Sequence, residues 1–161
     1  MAPFDPERIL RVLGHHGVRF VLIGATAARL QGFPRLTADA DVTPAPDPEN
    51  LTRLAAALSE LNARVYTESV PEGLAFACDA QHLQRAKLWN LVTDAGRVDI
   101  VFEPSGTKGY ADLAASAITF EVFGLPLQAA SLEDILRSKR ASDRAQDRQD
   151  ALVIEQMLRR R

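Results

Sequence analysis

The sequence has 161 residues, 47% hydrophobic and 25% charged, and a formal net charge of −2. That is the length of one ordinary domain, and the composition excludes a disordered, fibrous or disulfide-scaffold chain. No window approaches the roughly 18–20 uninterrupted apolar residues of a membrane span, and the first ten residues lack the basic-then-apolar order of a signal peptide. Cys78 is the only cysteine, which leaves no intramolecular disulfide and no thiolate-rich metal site. The expectation is a cytoplasmic protein with no membrane partner. Charge is uneven: residues 1–136 carry a net −6 and residues 137–161 a net +4. The basic stretch has two readings, a surface that meets phosphates or a solvated helix face.

In chain order, Asp5-Pro6-Glu7 joins a capping Asp to Pro at the first helical position, and Ile9, Leu10, Val12 and Leu13 follow at amphipathic spacing, predicting a helix to about Gly17. Residues 19–23 form a short apolar run entering Gly24, readable as a buried strand, with a helix over 25–31 stopped by Gly32-Phe33-Pro34. Residues 37–43 alternate as a second strand. Asp47-Pro48-Glu49 repeats the helix start, and Leu51, Leu54, Ala55, Leu58 and Leu61 set a helix to about Asn62. Strands are expected at 64–67 and 74–78. Residues 88–93 and 97–102 flank Asp94-Ala95-Gly96 as a hairpin, and 118–123 with 125–129 read as a second. Ser131-Leu132-Glu133-Asp134 approximates a capping box opening a helix to about Ser142, and a last helix covers 144–158. The order predicts an α+β fold with a mixed sheet.

Chemistry concentrates in Thr37-Ala38-Asp39-Ala40-Asp41-Val42. Two aspartates two apart on a strand share a face. At about 4 Å two such charges repel by about 4 kcal/mol at an effective dielectric of 20, which a divalent cation converts to attraction. Asp99 is a third carboxylate inside an apolar strand, where an acid is rarely tolerated unpaired. If the two strands are neighbours, Asp39, Asp41 and Asp99 make an oxygen-rich site for Mg²⁺ or Mn²⁺. The other reading makes Asp39 a turn cap and Asp99 a partner of Arg97 or another arginine. Ile23-Gly24-Ala25 ends a strand and starts a helix, where unpaired N–H groups can cradle phosphate oxygens. Trp89 and Tyr110 are read as packing residues more than as base-stacking ones.

Gly24-Ala25, thirteen intervening residues, Asp-x-Asp on the next strand and a single Asp on a later one resemble the fingerprint of the DNA polymerase beta nucleotidyltransferase superfamily. Gly32-Phe33-Pro34-Arg35-Leu36-Thr37-Ala38-Asp39-Ala40-Asp41 and Lys139-Arg140-Ala141-Ser142-Asp143-Arg144-Ala145-Gln146-Asp147 narrow the resemblance to small prokaryotic nucleotidyltransferases akin to AbiEii and MenT-type toxins. It spans about residues 18–150. It implies one nucleotidyltransferase domain over 1–161, a mixed twisted sheet flanked by helices, with a core at 18–130 and two C-terminal helices at 131–158.

The resemblance also implies two Mg²⁺ or Mn²⁺ ions on Asp39, Asp41 and Asp99, with Asp99 available as base, and an NTP as substrate. Gly24 and Ala25 would grip the triphosphate. Ala25 stands where the family has Gly or Ser, so Thr26 is the candidate for the missing hydroxyl. Lys139 and Arg144 would offset charge at the β- and γ-phosphates. Arg35 would reach a phosphate or the acceptor, or else pair with a surface acid. Asp147 is either a partner of Arg144 at i to i+3 or part of the site. Lys139 follows Ile135 at i+4, so its stem is expected along the core and its ammonium over the three acids, with little effect on stability. The implied activity is transfer of a nucleoside monophosphate to RNA, such as tRNA, or to protein, with a cognate antitoxin as partner. A small antibiotic as acceptor and an inactive nucleotide- or partner-binding relative are the alternatives.

Overall fold

The computed structural model describes residues 2–161. Among these the chain forms seven helices and one seven-stranded sheet, a mixed α+β architecture. The order is α1 (Pro6–His15), β1 (Phe20–Leu22), α2 (Gly24–Leu30), β2 (Asp39–Pro44), α3 (Pro48–Glu60), β3 (Arg64–Val65), α4 (Ala80–Leu83), β4 (Leu88–Thr93), β5 (Gly96–Val101), α5 (Tyr110–Ala115), β6 (Ile118–Val122), β7 (Leu125–Ala129), α6 (Leu132–Ser142) and α7 (Ala145–Arg159). The strands lie side by side as β3-β4-β5-β2-β1-β7-β6. The β1–β7 and β2–β5 pairs are parallel and the rest antiparallel.

Local chemistry starts and stops these elements as expected. Asp5 and Asp47 cap α1 and α3 by accepting from Arg8 N and Asn50 N, each with Pro in the first turn. The β6–β7 turn places both Phe123 (φ 54°) and Gly124 (φ 73°) in the left-handed region, the geometry whose twist matches a two-residue hairpin. Asp143, at φ 51°, ends α6 and separates it from α7. Buried Asn50 bonds Arg19 N, Arg19 O and Ala45 O, fastening α3 to the start of β1 and the end of β2.

The core runs between the sheet and α1 and α3. Ile9, Leu13, Leu51, Leu54 and Leu58 of these helices are fully buried together with Val42, Leu91, Val98 and Ile100 of the strands. Each such side chain contributes about 1.5–3 kcal/mol. Strand alternation therefore has a fixed sense: Ala40, Val42, Val98 and Ile100 face the core and Asp39, Asp41 and Asp99 the opposite side.

Three expectations are corrected. The strand at 74–78 is a single bridge from Leu74 to Val65: Ala75 and Ala77 are exposed, Phe76 and Cys78 are half-buried, and no strand lies alongside for the rest of the segment to pair with. The strand at 64–67 shortens to two residues. Residues 110–115 form α5, a segment for which the sequence pattern predicts no element. Among the described residues, no helix is long and apolar enough to cross a membrane.

Candidate active site

Parallel pairing of β2 with β5 sets Asp39 beside Arg97 and Asp41 beside Asp99. The three aspartates each offer an oxygen within 4.8 Å of the others'. Burial first, then the charges of Asp39 and Asp99, push Asp41 up to about 8, with Lys139 opposing. Burial and the charge of Asp39 likewise raise Asp99 to about 6, with Arg97 opposing. Arg97 does not resolve the crowding: its guanidinium stacks 3.7 Å from the Tyr66 ring centroid and its Nη2 stays 3.7 Å from Asp99 Oδ1, which is buried without a hydrogen-bond partner.

Those features fit a divalent cation. The donors are all carboxylate oxygens, as Mg²⁺ and Mn²⁺ prefer, and the orphaned Asp99 oxygen needs a proton or a cation.

Gly24 opens α2 at φ +59°, and a Cβ there would stand 3.0 Å from Asp41 Oδ2. Only glycine joins that backbone shape to so close a carboxylate. Gly24→Ala is expected to cost about 1–2 kcal/mol in stability by strain at this position and to displace Asp41. A chemical denaturation curve coincident with that of the wild type would refute it. No side chain caps α2, which leaves its first N–H groups at the cleft that Ile23, Gly24 and Ala25 line. The Thr26 hydroxyl donates to Asp39 O at 3.2 Å and accepts from Asp41 N at 3.3 Å. These bonds fasten α2 to β2.

The triad lies in a cleft of about 1000 Å³ whose wall also includes Arg35, Lys139, Arg144 and Asp147. Lys139 is close enough to the triad to oppose the rise of Asp41, but its ammonium pairs with two acids of α7 instead of standing over the triad as expected. Its Nζ sits 3.2 Å from Asp147 Oδ1 and 3.1 Å from Asp150 Oδ2, on two aspartates that are 3% and 4% exposed. Arg144 Nε and Ser142 Oγ donate to Asp147 Oδ2 at 2.8 and 2.6 Å, so the pairing of Arg144 with Asp147 holds. Arg35 Nη2 donates to Asp150 Oδ2 at 2.8 Å; its acid is a buried one on α7 rather than a surface one. Burial works to raise Asp147, but the bonds from Ser142, Arg144 and Lys139 outweigh it and hold the carboxyl at about 2. Asp150 is lowered in the same way, by Arg35, Gln146 and Lys139.

Asp150 has no place in the sequence reading. The signal was present: Asp147 and Asp150 share the stripe of α7 that buries Ala151 and Ile154. Trp89 packs on Phe76 with ring centroids 5.3 Å apart and donates to Leu83 O, so it serves the core.

A mixed sheet carrying Asp-x-Asp on one strand, in register with an Asp on its parallel neighbour and beside a Gly-led helix, is the architecture of the nucleotidyltransferase fold. No protein-family model and no curated protein matches the sequence. Solved structures do match the fold. A Thermotoga maritima protein provisionally named a nucleotidyltransferase aligns over 99% of this chain and 98% of its own, with 20% identity and a TM-score of 0.55. The lincosamide antibiotic adenylyltransferase LnuA, solved with lincomycin, aligns over 96% and 99%, with 13% identity and a TM-score of 0.62. The antibiotic-resistance factor ANT(2'')-Ia aligns over 95% and 82%, with 16% identity and a TM-score of 0.59. The chain has the nucleotidyltransferase fold.

Proposed function

We propose that this chain is a metal-dependent nucleotidyltransferase that moves a nucleoside monophosphate from an NTP to an acceptor hydroxyl with release of pyrophosphate. The observation that carries the reading is the opposition, across one cleft, of three converged carboxylates and three clamped cations. Asp39, Asp41 and Asp99 would hold one or two Mg²⁺ or Mn²⁺ ions, which when bound neutralise phosphate charge and acidify the acceptor hydroxyl.

The chain's own groups do the rest. The first N–H groups of α2, at Gly24 and Ala25, meet the triphosphate oxygens. Asp99 takes the proton of the acceptor hydroxyl as its oxygen bonds to the α-phosphorus. The bond from that phosphorus to the β-phosphate oxygen breaks, and its electron pair leaves with pyrophosphate. Lys139, Arg35 and Arg144 offset the charge that develops on the leaving group.

For the acceptor, charge favours a small hydroxyl compound. Among the described residues the only cations on the cleft wall are Arg35, Lys139 and Arg144, all held by the acids of α7. The wall around Leu88, Asn90, Val101 and Thr107 offers none for a nucleic-acid backbone. Most arginines of the basic stretch also have acid partners, several from outside the stretch: Arg137 pairs with Asp112 and Asp134, Arg140 and Arg159 share Glu155, Arg148 pairs with Asp143 and Arg161 with Glu133. The lincomycin-bound structure of LnuA, an antibiotic adenylyltransferase of the same fold, supports a small-molecule acceptor. The second reading, a toxin modifying tRNA or protein under control of an antitoxin, rests on the motif around Lys139, Arg144 and Asp147.

The test is to incubate the protein with each α-labelled NTP and Mg²⁺, separately with tRNA, cell protein and hydroxyl-bearing antibiotics, beside Asp41→Asn. Label in a small-molecule fraction, lost in the variant, is expected. Label in tRNA or protein selects the second reading, and no transfer in any fraction refutes the enzyme.

A further inference from the structure

Asp150 is a carboxylate on the core-facing stripe of α7, beside Ala151 and Ile154. Its Oδ1 accepts from Gln146 Nε2 at 2.9 Å. Its Oδ2 alone meets two cations from separate segments, Arg35 Nη2 at 2.8 Å and Lys139 Nζ at 3.1 Å. Replacing the whole Arg35–Asp150–Lys139 cluster by apolar side chains would pack as well or better, whereas removing Asp150 alone strands its cations, so packing stability does not account for a charged cluster here. What an apolar side chain cannot do is hold two like charges together.

The cations are not exhausted by it. Lys139 has three ammonium donors and two acids beside it; Arg35 has five donors and gives one to Asp150. Both side chains line the cleft that holds the acid triad. With Arg144, three cations stand on two buried carboxylates, a surplus of one positive charge facing that cleft.

We propose that Asp150 is a positioning residue for the nucleotide: it fixes Arg35 and Lys139 as a preformed pair whose remaining donors take the triphosphate. This rests on the nucleotidyltransferase reading and adds to it the group that fixes the phosphate grip. Preformed cations cost no ordering when the anion arrives, and charge-assisted bonds to phosphate are the strong ones.

The experiment titrates inorganic tripolyphosphate with Mg²⁺ into the full chain by calorimetry, with folding followed by circular dichroism. Asp150→Asn keeps the shape and removes the charge; its Kd is expected to rise by about tenfold or more. Arg35→Gln should weaken binding comparably, and the double variant little more than either, because the two act through one contact. Gln146→Ala, which frees only Oδ1, should give a smaller rise. A folded Asp150→Asn with wild-type affinity overturns the positioning role, as do strictly additive losses in the double variant. If Asp150→Asn does not fold, Gln146→Ala decides: wild-type affinity overturns the role and a raised Kd supports it. Wild-type protein that binds neither tripolyphosphate nor any of the four NTPs overturns the nucleotidyltransferase reading instead, and this inference with it.

Discussion

Replacing Lys139 with alanine is expected to lower nucleotide transfer by about 10²-fold or more, since a preorganised charge at a phosphoryl-transfer site is worth about 3 kcal/mol. The same change should also destabilise the protein by about 2–4 kcal/mol, because it leaves Asp147 and Asp150 buried with one cation fewer. The second effect departs from the sequence expectation, in which the ammonium sat over the triad and its loss left stability untouched. Acid sensitivity follows with a definite sign. The Asp147 carboxyl is held at about 2, below its ordinary 3.8. The stability it contributes is present above pH 4 and is lost as pH falls through about 2. Without Lys139 that carboxyl moves up, so acid unfolding should begin at a higher pH. Label transfer at the wild-type rate would remove Lys139 from the site, and an unchanged urea midpoint would remove it from the clasp.

The legible part of this site was whatever depended on neighbours in the chain. Period-two alternation put Asp39 and Asp41 on one face of one strand, and the Asp94-Ala95-Gly96 turn fixed the β4–β5 hairpin that carries Asp99. That β5 lies parallel to β2, with Asp41 opposite Asp99, depends on contacts nearly sixty residues apart, which no local pattern sets; the family resemblance implied that the three acids share a metal site, but not this direction or register. The clasp was half legible. The spacing of Arg144 and Asp147 gave one pair, but the Arg35–Asp150 bond joins residues 115 apart. The charged character of 137–161 obscured that two of its acids face inward. The bonds of Thr26 were illegible for another reason: a hydroxyl near a helix start gives no local sign that the neighbouring strand bonds to it.

Asp41→Asn should make the metal-free protein more stable while removing its response to metal. In the wild type, burial and the adjoining acids raise Asp41 to about 8 and Asp99 to about 6, against 3.8 for a free aspartate. The folded state therefore holds these protons more tightly than the unfolded chain does. Without metal, the contribution of these groups to stability is best below pH 4 and declines as pH climbs from about 4 to about 8. Asparagine carries no charge to bury, so the variant should gain about 1–3 kcal/mol over wild type at pH 8, about 3–8 °C in Tm, and little at pH 4. Divalent cations act in the opposite direction, since they bind the ionised acids and only in the folded state. At a hundredfold excess over Kd, Mg²⁺ or Mn²⁺ should stabilise the wild type by about 2.7 kcal/mol. That gain should grow with pH over the interval in which Asp99 and then Asp41 lose their protons, and it should nearly vanish in Asp41→Asn. The two effects together separate a metal site from a structural acidic cluster. A structural cluster held by hydrogen bonds would lose stability on substitution at every pH and ignore the ion. Wild-type Tm unmoved by either cation at pH 8, with an NTP present or absent, would make the three aspartates such a cluster.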